Sequence, residues 1–134
     1  MSGNGPALVC LRLWVAVGLA GCAVLLYACL MPNPPSPGIS NFDKVEHFAA
    51  FAVLGTWFGG ILAPRYWAVL FGLLGFGLLI ELIQSGIDYR SGDPLDFLAD
   101  GLGVVAGIGL ARLGAMGWLR YIDARVAANG NRSG

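Results

Sequence analysis

The sequence predicts an all-α fold, an integral membrane bundle of four transmembrane helices with both termini in the cytoplasm. Three observations lead there. First, the 134 residues are 57% hydrophobic and 12% charged, with a mean hydropathy of +0.71. A soluble domain carries roughly 25% charged residues. Second, the apolar residues fall into four long runs, each sufficient to cross a hydrocarbon core of ~30 Å as a helix. Barrel strands would alternate strictly, and these runs do not. Third, the arginines gather at alternate ends of the runs. The length suits one domain, 1–134. The net charge is zero and the pI near 6.5, which leaves no basic surface for nucleic acid.

The first run extends from about Leu8 to Met31, with Arg12 near its start. PNPPSPG ends it, because Pro32, Pro34, Pro35 and Pro37 cannot continue a helix. Cys10, Cys22 and Cys29 all lie in or beside this run. Their spacing fits neither a zinc site nor a disulfide framework, and they read as small packing residues. LAGC at Leu19 to Cys22 matches a lipoprotein cleavage pattern, but AVLLYACLM stays apolar after it. An uncleaved helix is expected. The second run covers about Phe42 to Leu62, closed by Ala63 and Pro64, and the third about Tyr66 to Ile87. The fourth covers about Pro94 to Leu119, with Asp93 as N-cap and Pro94 at the first helical position. Residues 120–134 form a short cytoplasmic tail. WLRYIDARV mixes aromatics and arginines there, as an interfacial anchor does.

Orientation follows from the bases. Arg12, Arg65, Arg112, Arg120, Arg125 and Arg132 all fall at one set of helix ends, and the positive-inside rule places those ends in the cytoplasm. The other connections hold only Lys44 and Arg90, each outnumbered by acids.

That topology collects FDKVEHF and ELIQSGIDYRSGDPLDFLAD at the outer side. The second stretch alone carries five of the eight acids of the chain. Asp43 and His47 are four apart and share a helical face, with Glu46 beside them. Glu81, Gln84 and Asp88 form one stripe at the end of the third helix. Asp96 and Asp100 form another on the fourth, continued by Gly103, Gly107 and Gly114. A glycine stripe marks close helix approach in lipid, so the acid face turns inward. Simpler roles compete for several of these residues. Asp93 and Asp96 suit a helix N-terminus electrostatically. Asp88 fits a hydrated loop, Lys44 can snorkel, and a lone His47 can be structural. Glu81, Gln84 and Asp100 lie deeper, where an unpaired charge costs on the order of 3 kcal/mol. The bases are too few to neutralise the acids, so some acids are expected to be protonated or to share a cation. Asp100 is the one expected to be neutral.

Asp43, Lys44 and His47 opening one helix, then Glu81 and Gln84, then Arg90 before Asp93 and Asp96, resemble the VanZ-like family. The resemblance spans about Asp43 to Gly107. That family commonly has Asn at the position of Asp100, so a carboxylate is added here. The resemblance implies a small bacterial multi-pass protein of the inner (plasma) membrane. It also implies a link to resistance against teicoplanin-type glycopeptides, after the protein that names the family.

The reading that follows is an outward-facing polar pocket that binds or modifies a cell-envelope or lipid-linked ligand. Its candidate ligand-binding residues are Asp43, Lys44, His47, Glu81, Gln84, Arg90, Asp93, Asp96 and Asp100. Arg90 and Lys44 would meet anionic head groups, and Asp43 would orient His47. An enzyme would use His47 as acid or base, but neither Ser85 nor Ser91 is placed as a nucleophile. The cofactor is left open, and no metal is expected, since His47 with Glu81 or Asp96 lacks a compelling ligand spacing. Two other classes stay open: ion or proton translocation, and a structural assembly protein. The expected partner is membrane lipid or a lipid-linked envelope precursor, with no nucleic acid. The glycine faces offer contacts for a homo-oligomer.

Overall fold

The computed structural model describes residues 8–32 and 37–130; Pro34, Pro35 and Arg132 lie outside them. The described residues form five helices: α1 Leu11–Leu30, α2 Phe42–Ile61, α3 Tyr66–Ser85, α4 Pro94–Arg112 and α5 Gly117–Gly130. At 1.5 Å per residue, α1 to α4, of 19 or 20 residues each, reach close to ~30 Å.

The helix ends have local causes. Asp93 caps α4 as expected, its Oδ1 accepting from Leu95 N–H at 2.9 Å with Pro94 at the first position. α3 stops at Ser85, two residues before the expected end at Ile87, with Gly86 as its C-cap. The fourth helix was expected to reach Leu119 but ends at Arg112. Gly114 takes φ +92°, a left-handed conformation that glycine adopts freely, and the chain turns there. Gly114 therefore serves the turn and leaves the stripe of Gly103 and Gly107. Beyond it, Gly117–Gly130 is helical, so most of the stretch expected as a short tail belongs to α5.

Among the described residues three helices, α1, α3 and α4, are long and apolar enough to cross a membrane, rather than the expected four. α2 has the length but carries Asp43, Lys44, Glu46 and His47 in its first turns. Its position explains the tolerance. α2 is the central helix, packed most extensively on α4 and touching α1 and α3. Lys44 and His47 face α4, and a face covered by protein does not have to suit lipid, while Asp43 and Glu46 are exposed in the first two turns.

Glycines set the α2–α4 approach. A Cβ on Gly103 would run into the Phe48 carbonyl, and one on Gly107 into the Ala52 carbonyl. From the α2 side, a Cβ on Gly55 would lie 2.8 Å from the Val104 carbonyl. Backbone thus lies on backbone along this seam, the close packing that small residues permit in membranes. Phe51, Leu54, Phe58, Ile80 and Val104 fill the remaining core. Val24, Trp67, Phe71, Leu82, Leu98, Leu102 and Val105 point outward and are exposed. Water would penalise that much apolar surface; hydrocarbon does not.

α1 leans on the bundle through few buried residues, Gly18 and Cys29. Polar tethers hold its two ends. At its start, Asp123 of α5 accepts from Val9 N–H at 2.7 Å, Cys10 N–H at 2.9 Å and Trp14 Nε1–H at 2.7 Å. The Trp57 indole donates to the Trp14 carbonyl at 2.9 Å. At its far end, Gln84, Tyr89 and Arg90 donate to its last carbonyls. Arginines share the end that holds Asp123, where Arg112 stacks over the Tyr66 ring at 5.6 Å. The acids of α2 and α4 occupy the opposite end.

Candidate functional site

The polar end is built in layers, and the outermost joins α2 to α4. Lys44 Nζ lies 2.8 Å from Asp93 Oδ2, 3.2 Å from Asp96 Oδ1 and 3.4 Å from Asp43 Oδ2. The Lys44 ammonium, followed by the Leu95 N–H, holds the Asp93 carboxyl below the usual carboxylate range. Removing the charge of Lys44 would leave three carboxylates facing one another.

One turn deeper, His47 crosses the same seam. Its Nδ1 shares a 2.8 Å hydrogen bond with Asp100 Oδ1, and its Nε2 lies 4.0 Å from Asp96 Oδ2. His47, Asp96 and Asp100 are all buried, Asp100 completely. The periodicity on α2 and α4 that put Lys44 above His47 and Asp96 above Asp100 is what lets the two rows meet. Asp100 thus pairs with His47, and neither Lys44 nor Arg90 reaches it.

Behind this row stands α3. Glu81 Oε2 accepts from the Asp93 N–H at 2.7 Å and so fixes the start of α4 against the end of α3. Gly77, one turn back on the same face, leaves room for Asp100: a Cβ there would sit 2.7 Å from Asp100 Oδ2. His47, Glu81 and Asp100 bring one ligand-type atom each to within 4.8 Å of one another. Asp43, Asp93 and Asp96 form a second such group, already bridged by Lys44.

Gln84 and Arg90 do something the sequence did not reveal. Gln84 Nε2 donates to the Cys29 carbonyl at 2.9 Å, Tyr89 Oη to that of Leu30 at 3.0 Å, and an Arg90 guanidinium nitrogen to that of Met31 at 3.0 Å. These are orphan carbonyls at a helix C-terminus, where a cation is also electrostatically favoured. The three side chains cap α1 and draw it over the polar layers.

Between α1 and the polar rows lies a cavity of about 550 Å³. Leu25, Ala28 and Cys29 form an apolar wall, while Asp43, Glu46, His47, Asp96 and Arg90 form the charged one. Gln84, Tyr89 and Ser91 complete its rim and floor. Of the nine candidate residues, Asp43, His47, Gln84, Arg90 and Asp96 line it. Lys44 and Asp93 brace the wall from the side, and Glu81 and Asp100 lie behind it.

Asp88 departs from the expected stripe. Because α3 ends at Ser85, Asp88 belongs to an exposed turn, as its hydrated-loop reading had it. Asp123 was missed altogether. Its one signal was an acid within the basic stretch WLRYIDARV, opposite an α1 whose own N-cap, Cys10, offers no side-chain cap bond. Burial works to raise the Asp123 carboxyl, but the Trp14, Cys10 and Val9 donors hold it below the ordinary carboxylate value. Tyr89 was missed too, since a tyrosine in a loop carries no pattern.

A family model described as VanZ/LLP1 matches residues 12–116. No curated protein and no solved structure matches the chain.

Proposed function

The chain belongs to the VanZ/LLP1 family, and from that premise we propose that it is a multi-pass membrane protein that holds the head group of an amphiphile in the α1–α2 cavity. The amphiphile is a cell-envelope lipid or lipid-linked precursor. One observation carries this reading: a single cavity of about 550 Å³ has an apolar wall on α1 and a charged wall on α2 and α4. An amphiphile matches both walls at once. Arg90 keeps guanidinium nitrogens for an anionic group after capping Met31, and its buried Nε has no partner among the described residues. Asp43 and Glu46 are exposed acceptors for hydroxyl or ammonium groups. Lys44 is engaged by three carboxylates and supports the wall, a different role from the head-group contact first expected of it.

In this reading the polar end faces outward from a bacterial inner membrane, and both termini with the arginine end face the cytoplasm. Catalysis would fall to His47, positioned by Asp100. Resistance to teicoplanin-type glycopeptides, which family membership suggests, would follow from holding or shielding the envelope ligand.

The experiment is mass spectrometry of lipids that co-purify with the full chain from bacterial membranes. Wild type is expected to enrich a particular envelope lipid or lipid-linked species. Glu46→Gln and Ala50→Phe, one altering the charged wall and one filling the cavity, should lose it while the protein stays folded. Bulk lipid in unchanged proportions in all three would sink the proposal. That outcome favours a structural role, for which the Lys44 and His47 links between α2 and α4 are the supporting observation. Proton translocation has less support. Between the His47–Asp100 layer and the arginine end, α2, α3 and α4 carry no carboxylate, lysine or histidine.

A further inference from the structure

His47, Glu81 and Asp100 come from three different helices, and their ligand-type atoms all lie within 4.8 Å of one another. All three side chains are buried, Glu81 with 7% and Asp100 with 0% of its surface exposed. Each carboxylate keeps one oxygen, Glu81 Oε1 and Asp100 Oδ2, with no hydrogen-bond partner among the described residues. Buried polar atoms are nearly always partnered, and a native exception calls for a cause such as an ion. Asp100 Oδ2 points at α3, where Gly77 leaves it space one turn from Glu81.

Charge makes the same demand. Two carboxylates buried this close need a compensating cation or a proton. Lys44 is taken up by Asp43, Asp93 and Asp96, and among the described residues neither it nor Arg90 forms an ion pair with Glu81 or Asp100. The outer acid group, Asp43, Asp93 and Asp96, already holds Lys44 as its cation. The inner group has no lysine or arginine paired to it among the described residues; its one base is His47, 2.8 Å from Asp100 Oδ1.

We propose that His47, Glu81 and Asp100 bind a divalent first-row metal ion behind the cavity wall. One imidazole nitrogen with two carboxylate oxygens is a donor set that suits Zn²⁺ or Mn²⁺ and disfavours soft ions such as Cu⁺. A 2+ ion neutralises the two carboxylates when the imidazole is neutral. Ligands bonded at about 2.0–2.2 Å stand at most about 4.4 Å apart across an ion. Bringing the three atoms, now within 4.8 Å of one another, onto one ion exchanges the His47–Asp100 hydrogen bond for metal bonds. Glu81 Oε2 stays on the Asp93 N–H meanwhile, which orients the ligand. The ion would tie α2, α3 and α4 together where no glycine seam joins all three. His47 is shared with the cavity wall, but Glu81 and Asp100 lie behind it, so ion binding is read separately from amphiphile binding.

The test uses the full chain in lipid nanodiscs, stripped with chelator and then titrated with Zn²⁺ or Mn²⁺. Wild type should take up close to one ion per chain and gain at least about 5 °C in Tm at saturating ion. Glu81→Gln and Asp100→Asn should each weaken binding more than about tenfold, while Asp43→Asn leaves it unchanged. Should the two inner variants fail to fold, X-ray absorption at the Zn edge reads the ligand set in wild type. One imidazole with carboxylate oxygens is expected there. An all-oxygen shell, or equal loss in Asp43→Asn, would put the ion in the outer cluster and overturn the proposal. Binding below about a tenth of an equivalent with no change in Tm would overturn it as well, leaving protons on the carboxylates.

Discussion

Asp123 shows how one side chain can hold a helix that packing alone holds weakly. Its carboxylate takes three donors from the start of α1, two of them backbone N–H groups that the helix cannot satisfy internally. Asp123→Ala leaves those donors unpaired and should cost about 1–3 kcal/mol, read as a fall in Tm in detergent at neutral pH. The pH dependence has a definite sign. The folded Asp123 carboxyl lies below its ordinary value, so its contribution is complete above the unfolded value near ~3.9 and is lost as pH falls through the folded one. Wild type should therefore lose more stability than Asp123→Ala on acidification through that window. Equal acid sensitivity of the two proteins would show that the carboxylate is not holding α1.

At the scale of elements, the α2–α4 seam decides where the polar rows meet. Phe48, Ala52, Gly55, Gly103, Val104 and Gly107 bring the two backbones together. Gly107→Ala drives a Cβ into the Ala52 carbonyl and must push the helices apart, separating His47 from Asp100. A loss of at least about 2 kcal/mol is expected, at the upper end of overpacking costs. Gly109→Ala, two residues along on the same helix, meets nothing within 4 Å. It should be neutral or stabilising by about 0.5–1 kcal/mol through helix propensity. Thermal melts of the two variants side by side check the seam, and equal tolerance would contradict it. A Cβ on Gly72, Gly75 or Gly109 meets nothing within 4 Å among the described residues, whereas Gly103 and Gly107 are taken up in the seam.

For the molecule as a whole, charge is sorted by end. Arg65, Arg112, Arg120 and Arg125 lie toward the end marked by Asp123, and Lys44, His47 and the remaining acids toward the other. The proposed orientation can be checked in a background with Cys10, Cys22 and Cys29 replaced. A cysteine introduced at Ser91 should react with an impermeant reagent applied outside intact cells, and one at Arg65 should not. Labelling at Arg65 alone would invert the orientation and place the cavity on the cytoplasmic side.

Apolar run lengths, the prolines, and the Asp93–Pro94 start signal by themselves determined where the first four helices lie, because those causes act within a few residues. The acid and glycine spacing on α4 likewise identified its inward face, since helical periodicity is a property of the local chain. The turn at Gly114 and the helix after it were hidden by an apolar run that continues through both, and hydropathy does not register a positive φ. Only the tertiary structure decided that His47 meets Asp100, that Glu81 meets the start of α4, and that Asp123 caps α1, pairings separated by up to 114 residues. It also let α2 carry charges that a lipid-facing span would not. The physical reason is common to all four. A residue's spacing says which side of its own helix it occupies, but its partner and its surroundings are fixed by which helix faces approach closely, and that depends on the packing of the whole bundle.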